Sequence, residues 1–177
     1  MGGTLFQRAW YSDEISHFLH ASPETILGEL STRATVDMQV TQRDAWLEEI
    51  RVLKKALEGI RGRVYLEFTI PRMGHRADCI IVAEGHVVVL EFKVGKGEYS
   101  RDALDQVCDY TLDLKYFHKG SHHATVIPVL VATAARAERS FILGHPRIAG
   151  LYHPLRSNGQ NLAEVLRLIF QEIQGRP

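Results

Sequence analysis

The stretch Asp78-Cys79-Ile80-Ile81-Val82-Ala83-Glu84-Gly85-His86-Val87-Val88-Val89-Leu90-Glu91-Phe92-Lys93 decides the fold. Its second half is a β-branched apolar run bounded by Gly85 and Gly95, the signature of a strand. Residues Arg76 to Ala83 read as a second strand, and the short Gly-containing link Glu84-Gly85-His86 predicts a tight hairpin between the two. Side chains alternate across a strand, so Glu91 and Lys93 share one face with Val89, while Val88, Leu90, Phe92 and Val94 take the other. A carboxylate and an ammonium therefore project together from the end of an apolar strand. Burying that pair dry is costly unless both find partners, and a hydrated cleft with a bound cation relieves the cost.

Folding the hairpin back brings Asp78 toward Glu91 only in a suitable register, which the sequence leaves open. In that register the two carboxylates offer hard oxygen ligands to Mg²⁺ or Mn²⁺. Such an ion acidifies a coordinated water and stabilises charge on a phosphate. Lys93 beside it would position or deprotonate the water, or neutralise the transition state.

Further along, Leu104 to Leu114 fits a helix. At 100° per residue Leu104, Val107, Cys108 and Thr111 form its apolar face, and Gln106, Tyr110 and Asp113 fall opposite, with Gln106 and Tyr110 one turn apart. An amide and a phenol so spaced suit a water, a carboxylate or a substrate phosphate.

An Asp, then Glu-x-Lys, then Gln-x-x-x-Tyr resembles the PD-(D/E)XK, or restriction-endonuclease-like, nuclease superfamily, in particular its RecB-like branch. The chain from about Tyr11 to Ala132 is also similar to a bacterial family of unknown function in which this region commonly precedes a helicase-like ATPase motor. That likeness rests on Tyr11-Ser12-Asp13, Ile26-Leu27-Gly28-Glu29-Leu30, Ile70-Pro71-Arg72-Met73-Gly74, Leu90 to Gly95, Ala103 to Val107 and Pro128 to Thr133.

The resemblance implies a metal-dependent nuclease in which Asp78 and Glu91 bind Mg²⁺ or Mn²⁺ and Lys93 is the catalytic lysine. Gln106 and Tyr110 are the helical support. It further implies an acidic residue from an early helix; Glu29 is the choice, with Glu49 and Glu67 as rivals. The implied substrate is DNA, single- or double-stranded, and the implied partner is a separate helicase-like ATPase; a homodimer is also admitted. Ala77 stands where the superfamily's name motif has Pro, and no phosphate-binding Gly-x-x-x-x-Gly-Lys-Ser/Thr loop occurs in the chain. The alternative function is a catalytically silent nuclease-fold module that binds DNA or a partner protein.

Blander readings compete at each position. A Glu-x-Lys on an exposed strand is usually a solvated ion pair. Asp113-Leu114-Lys115 has the same pattern, but on a helix residues two apart do not face each other. His118, His122 and His123 read as a solvated loop without zinc-site spacing. Arg72, His75 and Arg76, just ahead of Asp78, are candidate phosphate contacts or ordinary exposed cations. Cys79 and Cys108 read as small buried hydrophobes, not a disulfide framework.

The 21 Lys and Arg balance the 21 Asp and Glu, so net charge gives no push toward nucleic acid. Local clusters remain: Arg51, Lys54, Lys55, Arg61 and Arg63, and Arg136, Arg139, Arg147 and Arg156. No apolar run approaches the ~18 residues of a membrane span and no leader opens the chain, so a cytoplasmic protein is expected.

A helix is predicted from Ser22-Pro23-Glu24 to about Arg33. A second, capped by Thr41 and Asp44, carries the stripe Trp46, Ile50, Leu53, Leu57 and Ile60. Strands at about 63–70, 77–83 and 87–94, the Gln/Tyr helix, a strand over 126–132, a short strand near 148–152 and a helix over 160–173 follow. This is an α/β chain with a restriction-endonuclease-like αβββαβ core, a mixed central sheet flanked by helices. A single nuclease-like domain is expected over residues 1–177, its core about 22–152.

Overall fold

In the computed structural model, residues 8–35, 39–70, 72–117, 119–138 and 151–174 are described. The elements run β1 (Ala9–Glu14), α1 (Ile15–His20), α2 (Pro23–Arg33), α3 (Gln39–Ala56), β2 (Gly62–Thr69), β3 (Arg76–Ala83), β4 (His86–Lys93), α4 (Arg101–Phe117), β5 (Thr125–Ala132), β6 (Leu155–Ser157) and α5 (Leu162–Gln174). From α3 to β5 this is the expected αβββαβ order. Six strands form one mixed sheet in sequence order, β1 to β4 antiparallel and β4, β5 and β6 parallel.

The hairpin forms as predicted. Ala83 pairs with His86, leaving Glu84 (φ 52°) and Gly85 (φ 76°) as a two-residue turn. Positive φ at both central positions matches the right-handed twist of the flanking strands. Gly85 adopts it freely; Glu84 carries a Cβ there.

The sheet buries both faces, as a strand with the near-continuous apolar run of β4 requires. On one side Cys79, Ile81, Val88, Leu90 and Phe92 pack with Trp46, Ile50 and Leu53 of α3 and Val165 and Ile169 of α5. On the other, Ile80, Val87 and Val89 pack with Ala103, Val107, Tyr110 and Leu114 of α4. The alternation read for β4 therefore holds. Lys54 of α3 donates to the carbonyls of Phe18 (2.6 Å), Leu19 (3.0 Å) and Ala21 (2.6 Å), satisfying the end of α1.

Several local expectations fail. The buried face of α4 is Ala103, Val107, Tyr110, Thr111 and Leu114, so Tyr110 belongs to the core, while Leu104 and Cys108 are half-buried. The buried stripe is instead Ala103, Val107, Tyr110 and Leu114, an equally regular helical spacing in which the Tyr110 ring takes the place expected of Leu104 and Cys108. Thr41 does not cap α3, which is already helical at Gln39. The last strand is Leu155–Ser157; residues 148–150 lie outside the described residues, and Leu151 makes only an isolated bridge with Val126. Strand β1 was not predicted. Only Ala9 and Tyr11 are buried there, in the cores on opposite faces of the sheet with half-buried Trp10 between them, and Ser12, Asp13 and Glu14 complete the edge strand. Arg139, Arg147 and His118 also lie outside the described residues. Among the described residues, no helix is long and apolar enough to cross a membrane.

Candidate active site

The antiparallel ladder between β3 and β4 ends at Cys79 opposite Leu90. One step further along that register, Asp78 falls opposite Glu91. Here the side chain takes over from the backbone: Asp78 Oδ2 accepts the Phe92 amide at 2.7 Å. Each carboxyl acts electrostatically on the other's surroundings, and the register left open by the sequence therefore sets the two carboxylates side by side.

On the β4 face toward α4, Lys93 Nζ donates to Glu91 Oε1 at 3.3 Å and to Gln106 Oε1 at 2.9 Å. Gln106 Nε2 in turn donates to Tyr110 Oη at 2.8 Å. Four residues read from the sequence thus form one connected chain, Glu91, Lys93, Gln106 and Tyr110, and the fifth, Asp78, is fastened to the Phe92 amide between Glu91 and Lys93. The His75 ring lies stacked on Tyr110 with centroids 6.2 Å apart.

From the other side α3 contributes Glu49, which is 6% exposed. Burial, with Glu67 and Glu91 nearby, holds the Glu49 carboxyl well above the usual carboxylate range. Asp78 is likewise pushed well up, by burial first and then by Glu49 and Glu91, against the opposing effect of the Phe92 amide. Burial also raises Glu91, and Lys93 pulls it back. Tyr110 is raised by burial, with its Gln106 hydrogen bond opposing. Carboxyls crowded this closely in a poorly solvated place share protons or recruit a cation.

Glu67 is held differently. It accepts from Trp46 Nε1 at 3.1 Å and from Arg76 Nε at 2.8 Å, and Arg76 also lies 4.2 Å above the Trp10 ring. Glu67 has φ 51°. Around it the faces swap: Leu66 and Cys79 lie in the α3-side core, whereas their neighbours Phe68 and Ala77 lie in the α4-side core. The interruption falls on Glu67 and Asp78 together, so a local break in the sheet frees Asp78 from the ladder. Arg76 is thus committed to Glu67, while Arg72 and His75 are exposed.

Glu29 sits exposed on α2, where its charge acts on Tyr11 and not on Asp78 or Glu91. The early-helix acid beside the site is its rival Glu49. A signal for it exists in the sequence, because Glu49 lies three residues after Trp46 and four before Leu53, inside the apolar stripe of α3. The roles of Trp46 and Trp10 had no such signal.

Among the described residues, no group of three or more His, Cys, Asp and Glu forms a metal cage. The residues nonetheless fit Mg²⁺, which is ordinarily held by one or two carboxylates and keeps several waters. Glu91 Oε2 is buried with no hydrogen-bond partner, an acceptor that such an ion would satisfy.

No model of a known protein family matches the chain, and no curated protein does. Among solved structures it is similar to a repair endonuclease from Pyrococcus abyssi, at 24% identity over 58% of this chain and 40% of that one, with a TM-score of 0.36. The small subunit of a heterodimeric restriction endonuclease matches at 13% identity over 90% of this chain and 78% of its own, TM-score 0.36. Protein VC1899 from Vibrio cholerae matches at 13% identity over 96% and 47%, TM-score 0.38. The chain spans two fifths of the length of the Pyrococcus abyssi protein and under half of the Vibrio cholerae one. Likenesses this loose decide nothing about activity, which must be argued from the residues themselves.

Proposed function

We propose that this chain is a Mg²⁺- or Mn²⁺-dependent nuclease that hydrolyses phosphodiester bonds of DNA. The observation that carries the reading is Asp78 fastened to the Phe92 amide, opposite Glu91 in the hairpin register, with Lys93 tied to both Glu91 and Gln106. Asp78 and Glu91 would hold the ion, with Glu49 as the additional acid in place of Glu29. When bound, the ion supplies Lewis acidity toward water and phosphate oxygen.

The chain's own groups supply the rest. Lys93 carries three donors, of which Glu91 and Gln106 take two, leaving one for a phosphate oxygen or the attacking water. Gln106 gives its amide nitrogen to Tyr110, which fixes the amide so that its oxygen faces Lys93. Tyr110 is anchored in the core, so the ammonium is positioned from a rigid helix.

The test is cleavage of linear and supercoiled DNA, single- and double-stranded, with Mg²⁺, Mn²⁺ or EDTA, comparing wild type with Lys93→Ala. Cutting that needs the metal and is lost in Lys93→Ala is the expected result. One observation favours a second reading, a silent module that docks a partner such as a separate helicase-like ATPase. The cleft of about 400 Å³ beside Gln106 and Tyr110 is rimmed by Asp102, Asp105 and Asp109, which repel phosphate. No cutting by wild type under any metal would favour that reading.

A further inference from the structure

Nucleic acid needs a path to Lys93, and the two flanks of the site differ in charge. The cleft on the α4 flank is lined by three aspartates, of which only Asp105 has a cation near it, the exposed Arg101 at 4.0 Å. The opposite flank is a groove of about 490 Å³ between α3 and the turn that joins β6 to α5, lined by Arg51, Lys54 and Lys55 against the single carboxylate Glu48. In a molecule with no net charge, this asymmetry decides where a polyanion settles.

The groove is built, and it lies at the end of the sheet where Lys93 stands, since Thr133 on its wall follows Ala132, the β5 partner of Lys93. Gly159, at φ 86°, brings the turn against α3: a Cβ there would meet Val52 Cγ2 at 3.3 Å and Thr133 Cγ2 at 3.8 Å. The turn is fixed by its own hydrogen bonds, from Gly159 N to Ser157 Oγ (3.1 Å) and from Asn158 N to Asn161 Oδ1 (3.1 Å). Thr133 accepts the Gly95 amide at 2.7 Å, two residues beyond Lys93. On the other wall, Glu49 of the candidate site is followed within two turns of α3 by Arg51 and Lys55.

The cations are not equally free. Lys54 is consumed by three carbonyls of the α1 end. Arg51 is 67% exposed and pairs only with Glu48 in the same helix, at 3.8 Å, and Lys55 is exposed. An exposed pair at that distance is weak and yields readily to a better anion.

We propose that this groove is the phosphodiester-backbone track of the protein, with Arg51 and Lys55 each contacting a phosphate and Gln160 bordering the strand. It rests on the nuclease reading and goes further by assigning the substrate's approach to the α3 side. The sequence offered Arg72, His75 and Arg76 as phosphate contacts and placed Arg51, Lys54 and Lys55 only in a local basic cluster. Phosphate contacts of this kind position without reading bases, so binding through the groove is indifferent to sequence.

The test is equilibrium binding of a fluorescent duplex of about 30 base pairs, in EDTA so that nothing is cut, between about 50 and 200 mM salt. Wild type is compared with Arg51→Ala/Lys55→Ala and with a control, Arg61→Ala/Lys119→Ala, which removes the same charge at the far end of the sheet. The groove variant should bind roughly tenfold more weakly. Its log Kd against log salt should be flatter by about 1.8, two phosphates at ~0.9 each. The control should stay within about twofold, as expected of a screened distant charge. All four residues are exposed, so folding, checked by Tm, should be unchanged. Equal losses in both variants, or none in the groove variant, would overturn the track. So would a wild type that binds no duplex. A Mn²⁺-induced rise in Tm, lost in Asp78→Asn, would show in each of those cases that the catalytic-site reading survives.

Discussion

The Phe92 amide donates to Asp78 Oδ2 at 2.7 Å. Phe92 is the residue between Glu91 and Lys93, so the lone aspartate of β3 is fastened to the link between the carboxylate and the ammonium of β4. The bond sits where the backbone ladder of the hairpin stops, and the Asp78 side chain does there what a strand carbonyl does elsewhere.

That bond separates two substitutions. Asp78→Ala leaves the Phe92 amide without its acceptor and should cost about 1–3 kcal/mol of stability. Asp78→Asn keeps an acceptor and removes a charge that is hard to accommodate, so the metal-free protein should lose no stability and should gain several degrees in Tm at alkaline pH. Chemical denaturation of both variants in EDTA decides it; equal destabilisation would show that the bond is not what holds Asp78.

The pH dependence of the metal-free protein follows from the raised carboxyls of Asp78 and Glu49. Between the ordinary carboxylate range and their raised values, the folded chain holds more protons than the unfolded one. Stability at these groups is therefore greatest at acid pH and falls as pH rises through that window. Glu49→Gln should flatten the fall, and saturating Mn²⁺ should reverse it. Tm measured against pH, with and without metal, is the check.

Lys93 and Gln106 should divide by role. Lys93→Ala removes a donor that would reach the phosphate and should lower single-turnover cleavage by at least ~10², the scale of one lost transition-state donor. Gln106→Ala frees the ammonium without removing it and should cost less, about tenfold, with Tyr110→Phe milder still. Rates with Gln106→Ala as low as with Lys93→Ala would assign the amide a direct part.

Glu67 combines a left-handed backbone with one buried and one half-buried hydrogen bond. Glu67→Ala strands the buried Trp46 Nε1 and releases the half-exposed Arg76, and should destabilise by about 1–3 kcal/mol, the cost of a buried donor left unpaired. Glu67→Gly loses the same bonds but relieves φ, so it should be less damaging by up to ~1 kcal/mol, the converse of placing Ala at positive φ. At the hairpin turn, Glu84→Asn or Glu84→Gly should stabilise by about 0.5–1 kcal/mol for the same conformational reason. Urea unfolding of the four variants gives the comparison.

The sequence by itself determined the order of elements from α3 to β5, the hairpin at Glu84-Gly85, and the face shared by Glu91 and Lys93. Those follow from local rules: apolar period, turn chemistry and the alternation of a strand are properties of neighbours in the chain. It also supplied Gln106 and Tyr110 at one-turn spacing, though not the burial of Tyr110, which depends on the side of α4 that docks on the sheet. Only the folded hairpin fixed its register: the pairing of Ala83 with His86 carries on to Asp78 opposite Glu91, whereas the sequence marked the link only as Glu84-Gly85-His86. Glu49 carried a local signal inside the apolar stripe of α3, but that it is buried beside Asp78 and Glu91 while Glu29 is exposed on α2 was decided by how the helices dock. The cations of the groove stand in the sequence as one local cluster, but packing alone decided that Gly159 and Thr133, distant in the chain, close a groove against it and that the aspartates of α4 rim the other flank.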